Sequence, residues 1–217
     1  MMSSMTQDMW TKKRMHLAAG FLAVSGLIAA GWFGYSWYMR SKEQAAYKDL
    51  AESIEGYSKA RSSGAPEKWS DVERGFEAGA KRNTSSSLQP YFLVFQADAL
   101  VEQGKHKEAA ALMDKTVSML KRTQPLYFLY ALKRALIKTD IADETIQKQG
   151  RQELAALTQE STNPLKDMAR YYAGLDALHQ GDRAAAEKFL GEIPAVSPVD
   201  QKPSVWYQMA QEALSAA

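Results

Sequence analysis

Charge is distributed unevenly along this chain. From Leu17 to Met39 no side chain is charged, a run of 23 residues bounded by Lys12, Lys13 and Arg14 before it and Arg40 and Lys42 after it. At about 1.5 Å of rise per residue, a helix over this run reaches roughly 34 Å, enough to cross a hydrocarbon core of about 30 Å with some tilt. Trp32, Phe33, Tyr35, Trp37 and Tyr38 crowd its last turns, where amphipathic rings settle at a membrane interface. The pattern predicts a single transmembrane helix over 17–39, preceded by a short basic tail over 1–16. A cleavable signal peptide would stop at a shorter apolar core and a small-x-small site. Here the run continues past Ala29-Ala30-Gly31 through bulky Trp32 to Met39, which fits an uncleaved signal anchor. A buried core helix would show a polar face, and this one has none. Three Lys/Arg precede the span and Arg40, Lys42 and Lys48 follow it, so the flanking charge leaves the orientation open.

After the span, over 40–217, the apolar positions recur at threes and fours. Ala46, Leu50, Ile54 and Tyr57 mark one amphipathic helix, and Ser62 to Pro66, SSGAP, breaks it. Trp69, Val72, Phe76 and Ala80 rebuild a stripe on a second helix, Asn83 to Ser87 is a polar connector, and Tyr91 opens an apolar helix that runs to about Gln103. Tyr91 to Phe95, YFLVF, would suit a strand in isolation, but its continuation into ADALVEQG favours helix. Further helices are predicted over Leu126 to Ile137 and Thr145 to Leu157, joined around Thr139 to Asp143 and ended by Asn163-Pro164. A last one runs from Ser204 to Ala216 with Ser204 as its N-cap.

The order of small and apolar residues resembles that of tetratricopeptide units. Ala97, Leu100, Gly104, Glu108 and Ala109 stand where such a unit places a small contact residue, an apolar contact, a turn glycine and the opening of its second helix. Gly174, Ala177, Gly181, Asp182, Ala186 and Leu190 repeat the arrangement, with Pro198 where such a repeat commonly stops. Gly104 and Gly181 lie 77 residues apart, a little over two periods of about 34, so one divergent unit without a turn glycine belongs between them. The fold class expected is all-α: an N-terminal single transmembrane helix, then a short α-solenoid of about four helical hairpins, closed by a C-terminal capping helix.

Composition narrows the function. Asp8, Lys12, Lys13 and Arg14 are the charged residues before Arg40, so of 27 basic and 25 acidic residues the remainder of the chain keeps 24 of each. Such a balance lacks the basic surplus of a nucleic-acid binder. With no cysteine, disulfides and thiol chemistry are excluded. His16, His106 and His179 are the histidines, with no pair at metal-ligand spacing, so neither a metal site nor a cofactor is expected. Ser118-Met119-Leu120-Lys121 matches the short S-x-x-K pattern by chance on a repeat helix. Asp140, Asp143 and Glu144 are explained as carboxylates attracted to a helix N-terminus. No catalytic residue, and no small-molecule substrate, is indicated.

What remains are surfaces. Gly26, Ala30 and Gly34 place small residues on one face of the span, the arrangement that lets helices pack closely in lipid. On the solenoid, the first helices of successive units assign Tyr91, Asp98, Val101 and Glu102, then Tyr171, Leu175, Leu178 and His179, to a concave partner-binding face. The layout of anchor and degenerate repeats, with GWFGYSWYMRSKEQAA, VEQGKHKEAA and LHQGDRAAAEKFL, resembles the bacterial YfgM-like family, ancillary to the SecYEG translocon. The resemblance implies a single-pass inner-membrane protein with a periplasmic helical domain. It would act in protein secretion as a chaperone-type subunit beside a membrane-anchored prolyl isomerase, PpiD-like. The short leader departs from the longer charged tail of that family. The alternatives are a structural scaffold subunit of another envelope complex and a cytoplasm-facing tetratricopeptide adaptor.

Overall fold

The computed structural model describes residues 3–124, 126–196 and 202–216, with side chains from residue 30 onward. Among them are nine helices and no strand, only an isolated antiparallel bridge between Val196 and Pro203. The chain is thus all-α. It divides between Asp49 and Leu50 into two units.

The first unit is helical from Ser3 and belongs to α1, Ser3–Ser63. The expected span lies inside this helix, but the side chains of 17–29, Gly26 included, lie outside the described residues. Among the described residues no helix is long and apolar enough to cross a membrane. From Ala30 onward the unit exposes a dense set of rings, Trp32, Phe33, Tyr35, Trp37 and Tyr38.

The second unit stacks helices in sequence order. The end of α1 is followed by α2 (Lys68–Arg82), α3 (Gln89–Glu102), α4 (His106–Ser118), α5 (Tyr127–Thr139), α6 (Glu144–Gln159), α7 (Lys166–His179), α8 (Arg183–Gly191) and α9 (Val205–Ala216). Each from α2 to α8 packs on the next, and α9 packs on α7 and α8. Four helical hairpins and a closing helix result. The stripe Trp69, Val72, Phe76 and Ala80 is buried, as its period requires. Tyr91 to Phe95 is the first half of α3, whose early Pro90 is tolerated because first-turn N–H groups need no intrahelical partner. Ser204 caps α9, its Oγ accepting from the Tyr207 N–H at 3.3 Å. Pro198 lies outside the described residues.

Two turns share one geometry. Gly104 and Gly181 have φ of +74° and +76°, a conformation that glycine adopts without a Cβ clash. Past each, the next residue's N–H returns to the helix: Lys105 to the Leu100 carbonyl and Asp182 to the Ala177 carbonyl, both at 2.9 Å. The middle hairpin lacks this turn and is capped by a side chain instead. Asp143 Oδ1 accepts from the N–H groups of Thr145 at 3.2 Å and Ile146 at 3.3 Å. Asp182 Oδ1 does the same for Ala185 at 3.0 Å.

These caps give the register. The N-caps of α4, α6 and α8 are Lys105, Asp143 and Asp182, 38 and 39 residues apart. The same steps align Ala97, Ala135 and Gly174, all buried. They also align Gly104, Ala142 and Gly181, so an alanine replaces the turn glycine in the middle unit. Gly174 admits Leu190 of α8 against its backbone, and Gly79 admits the ring of Phe92. At Gly150 of α6 a Cβ would meet Lys138 Cβ at 2.8 Å, the Ala135 carbonyl oxygen at 2.9 Å and the Thr139 nitrogen at 2.9 Å. Two of those three neighbours are backbone atoms that cannot swing aside.

Gly150→Ala is therefore expected to destabilise the domain by about 1–3 kcal/mol through overpacking. Gly75→Ala, on an exposed helix position with nothing near its Cβ, should be neutral or stabilising by up to about 1 kcal/mol. Urea unfolding of the two variants followed by circular dichroism compares them, and equal effects would contradict the close approach at Gly150.

Candidate functional site

The side of the stack formed by α3, α5 and α7 carries most of the residues the sequence assigns to a docking face. On α3, Tyr91 is half-buried and sets its ring edge-on to Tyr130 of α5, centroids 6.5 Å apart. About two turns further on, Asp98 pairs with Lys133 of α5, both largely shielded. Val101 is half-buried against the main core, and Glu102, which ends α3, is exposed. In the common register Asp98 corresponds to Leu136 and Leu175, and Glu102 to Asp140 and His179. An exposed polar residue therefore closes each of these three helices. Tyr91 corresponds to Leu129, exposed on α5, and to Met168 on α7, while Tyr171 stands in the place of the buried Val94.

At the α1 end, Tyr57 meets Trp69 at 5.3 Å, Phe95 at 5.3 Å and Phe76 at 6.4 Å, all edge-on. Burial and the nearby Asp98 carboxylate push its hydroxyl above its ordinary acidity range, opposed by the Arg61 guanidinium, which donates to it at 3.0 Å. Tyr130 is shifted in the same direction. Burial first, then the Tyr91 hydroxyl and the Asp98 carboxylate, raise its pKa to about 12.

At the other end α9 covers the stack. Tyr171 packs on Trp206 at 5.6 Å and on Tyr172 at 5.5 Å, and Leu178 lies against the cluster of Leu190, Ile193 and Ala210. Leu175 is half-buried and His179 exposed.

Behind α5 lies a second polar feature that the sequence did not disclose. Lys138, 3% exposed, places its ammonium 2.9 Å from Asp114 Oδ1 of α4 and 2.9 Å from Glu153 Oε1 of α6. Arg134 Nε lies 2.7 Å from the other Glu153 oxygen. In the register, Lys138 occupies the place of Leu100 and Ala177, an apolar contact position, so its charge needs both carboxylates to be buried. Beside it runs a cleft of about 210 Å³ lined by Arg122, Tyr127, Phe128, Arg134, Glu153 and Glu160. Its charges answer one another: Arg122 also reaches Glu160 at 3.1 Å.

The short polar motifs have structural roles. Ser118 is exposed at the end of α4 and its hydroxyl donates to the Lys115 carbonyl at 2.7 Å. Asp143 is the cap of α6, and its carboxyl is held below the usual range chiefly by the Ile146 N–H, with Lys107 3.4 Å away adding to it. Among the described residues no group of three or more His, Cys, Asp or Glu is placed to hold a metal ion. On α1, Ala30 and Gly34 are exposed, and Gly34 has open space where a Cβ would stand.

Compared with known families, curated proteins and solved structures, this chain matches none.

The folded chain keeps Tyr130 neutral up to about pH 12, whereas an unfolded tyrosine ionises near 10. The contribution is whole below pH 10 and is lost as pH rises toward 12, because the unfolded state releases its proton first. Of ten tyrosines, Tyr130→Phe should remove the latest phenolate step in an ultraviolet absorbance titration. An unchanged late step would place the most shielded phenol elsewhere.

Proposed function

We propose that this chain is a membrane-anchored, non-enzymatic docking protein in protein secretion. Residues 17–39 cross a bacterial inner membrane once, and the helical pairs that follow form tetratricopeptide-like units. These present the α3–α5–α7 side to protein partners in the periplasm. The resemblance to the YfgM-like family supplies the candidate partners, the SecYEG translocon and a PpiD-like prolyl isomerase, with exported chains as clients.

One observation carries the reading. Equivalent residues recur at steps of 38 and 39, Ala97 with Ala135 and Gly174 at the close approaches, Glu102 with Asp140 and His179 at the helix ends. A tandem stack of this kind gives each pair only its neighbours to bury against, and leaves one side of the first helices as a continuous surface. Extended peptides and helices dock on surfaces of that kind. The uncharged run with its exposed rings supports the anchor, and the balanced charge favours protein over nucleic acid.

The test places a photo-crosslinking amino acid at Glu102 or His179, on the proposed face, and at Lys115, exposed on α4. Crosslinks to translocon subunits or to a stalled exported chain are expected from the first two and not from the third. Equal capture from Lys115, or none from any site, would reject the face. Proteolysis of spheroplasts is expected to digest the helical domain, and its protection would overturn the periplasmic orientation. Bulky replacements at Gly26, Ala30 and Gly34 should lower recovery of the translocon in mild detergent if that strip is a contact.

A further inference from the structure

The rings that end the uncharged run are distributed in a way that a single protein partner would not explain. Trp32, Phe33, Tyr35, Trp37 and Tyr38 are between 50% and 75% exposed. At about 100° per residue, they point near 0°, 100°, 300°, 140° and 240° around the helix axis, leaving no gap wider than about 100°. A partner helix or a second copy covers one side of a helix. Only a surrounding medium covers every side, and the medium that prefers ring bodies with polar tips is the boundary between lipid headgroups and acyl chains.

Two neighbours agree with this. Lys42, one turn beyond, holds its ammonium 4.9 Å from the centre of the Tyr38 ring, so the first charges begin where the rings end. Trp37 and Tyr38 follow Gly34 by three and four residues and therefore rise on the same face as Ala30 and Gly34. The small-residue face at Ala30 and Gly34 therefore gives way to rings in the next turn.

We infer that Trp32, Phe33, Tyr35, Trp37 and Tyr38 form an all-round collar seated in the headgroup and glycerol layer of a phospholipid bilayer. The collar fixes the depth at which the helix leaves the membrane toward its domain. This inference rests on the membrane-anchor reading and adds that lipid, not protein, is what contacts the rings on every side.

The experiment uses the full chain, labelled with 5-fluorotryptophan and reconstituted into phosphatidylcholine vesicles. Trp32→Phe and Trp37→Phe, both at exposed positions, identify their two resonances among the five expected from the sequence. Flotation with the vesicles reports the anchor separately. The collar is supported if both resonances are broadened by a nitroxide lipid labelled near its carbonyl and neither by a water-soluble gadolinium chelate. It is overturned, with the anchor intact, if the chain floats but the chelate broadens both resonances. It is equally overturned if the lipid label reaches only one of the two, or neither, which would assign the shielding to a second copy of the chain. Failure to float overturns the anchor and the collar together.

Discussion

Two helices can approach only as closely as the smallest residue between them allows, and in this domain that limit recurs at regular intervals. Ala97, Ala135 and Gly174 hold equivalent places on α3, α5 and α7, and Gly150 presses its backbone against Ala135 and Thr139 from the far side of the middle pair. Where an L side chain would intrude, the partner uses the space: Phe92 against Gly79 and Leu190 against Gly174, each fully buried. Core packing is dense, so one added methyl at such a point is felt across the pair. The turns, the caps and the placing of α3, α5 and α7 along one side all follow from keeping these approaches in register.

The two ends of the stack need another device, because a terminal pair has no further neighbour to bury its side against. Both ends use aromatic rings. Tyr57, Trp69, Phe76 and Phe95 close the first end, with Phe76 and Phe95 stacked at 5.2 Å. Tyr171, Tyr172 and Trp206 close the last, delivered by a helix that begins at the Ser204 cap. Rings bury much area for few rotatable bonds, which suits positions covered from one side only. Between these ends the exposed surface of α3, α5 and α7 carries both signs of charge.

Much of this was legible in the sequence because it is local. The stripe on α2, the left-handed turns at Gly104 and Gly181, the helical reading of Tyr91 to Phe95 and the cap at Ser204 depend on neighbours a few residues away. The middle unit was legible as two helices but not in register, since Ala142 replaces the turn glycine and Lys138 stands where its counterparts are apolar. Without that register Tyr91 and Asp98 could be named, but their partners Tyr130 and Lys133 could not. Aligning Asp143 with Asp182 as helix caps would have supplied the offset. The partners of Lys138 come from two other helices, and no periodicity within α5 announces them.

Lys138 changes how such a stack can come apart. A solenoid held only by nearest-neighbour contacts can lose its pairs one at a time. Here a single buried ammonium is shared by carboxylates from α4 and α6, with Arg134 bound to the same Glu153. Separating either neighbour from α5 gives up a charge-assisted contact to an ammonium that is only 3% exposed, so both neighbours must stay in place for it to remain buried and paired. The two central hairpins are thereby tied together through one side chain, while the outer pairs have polar links of their own, Lys105 with Glu73 at 3.1 Å and Arg170 with Glu192 at 3.3 Å.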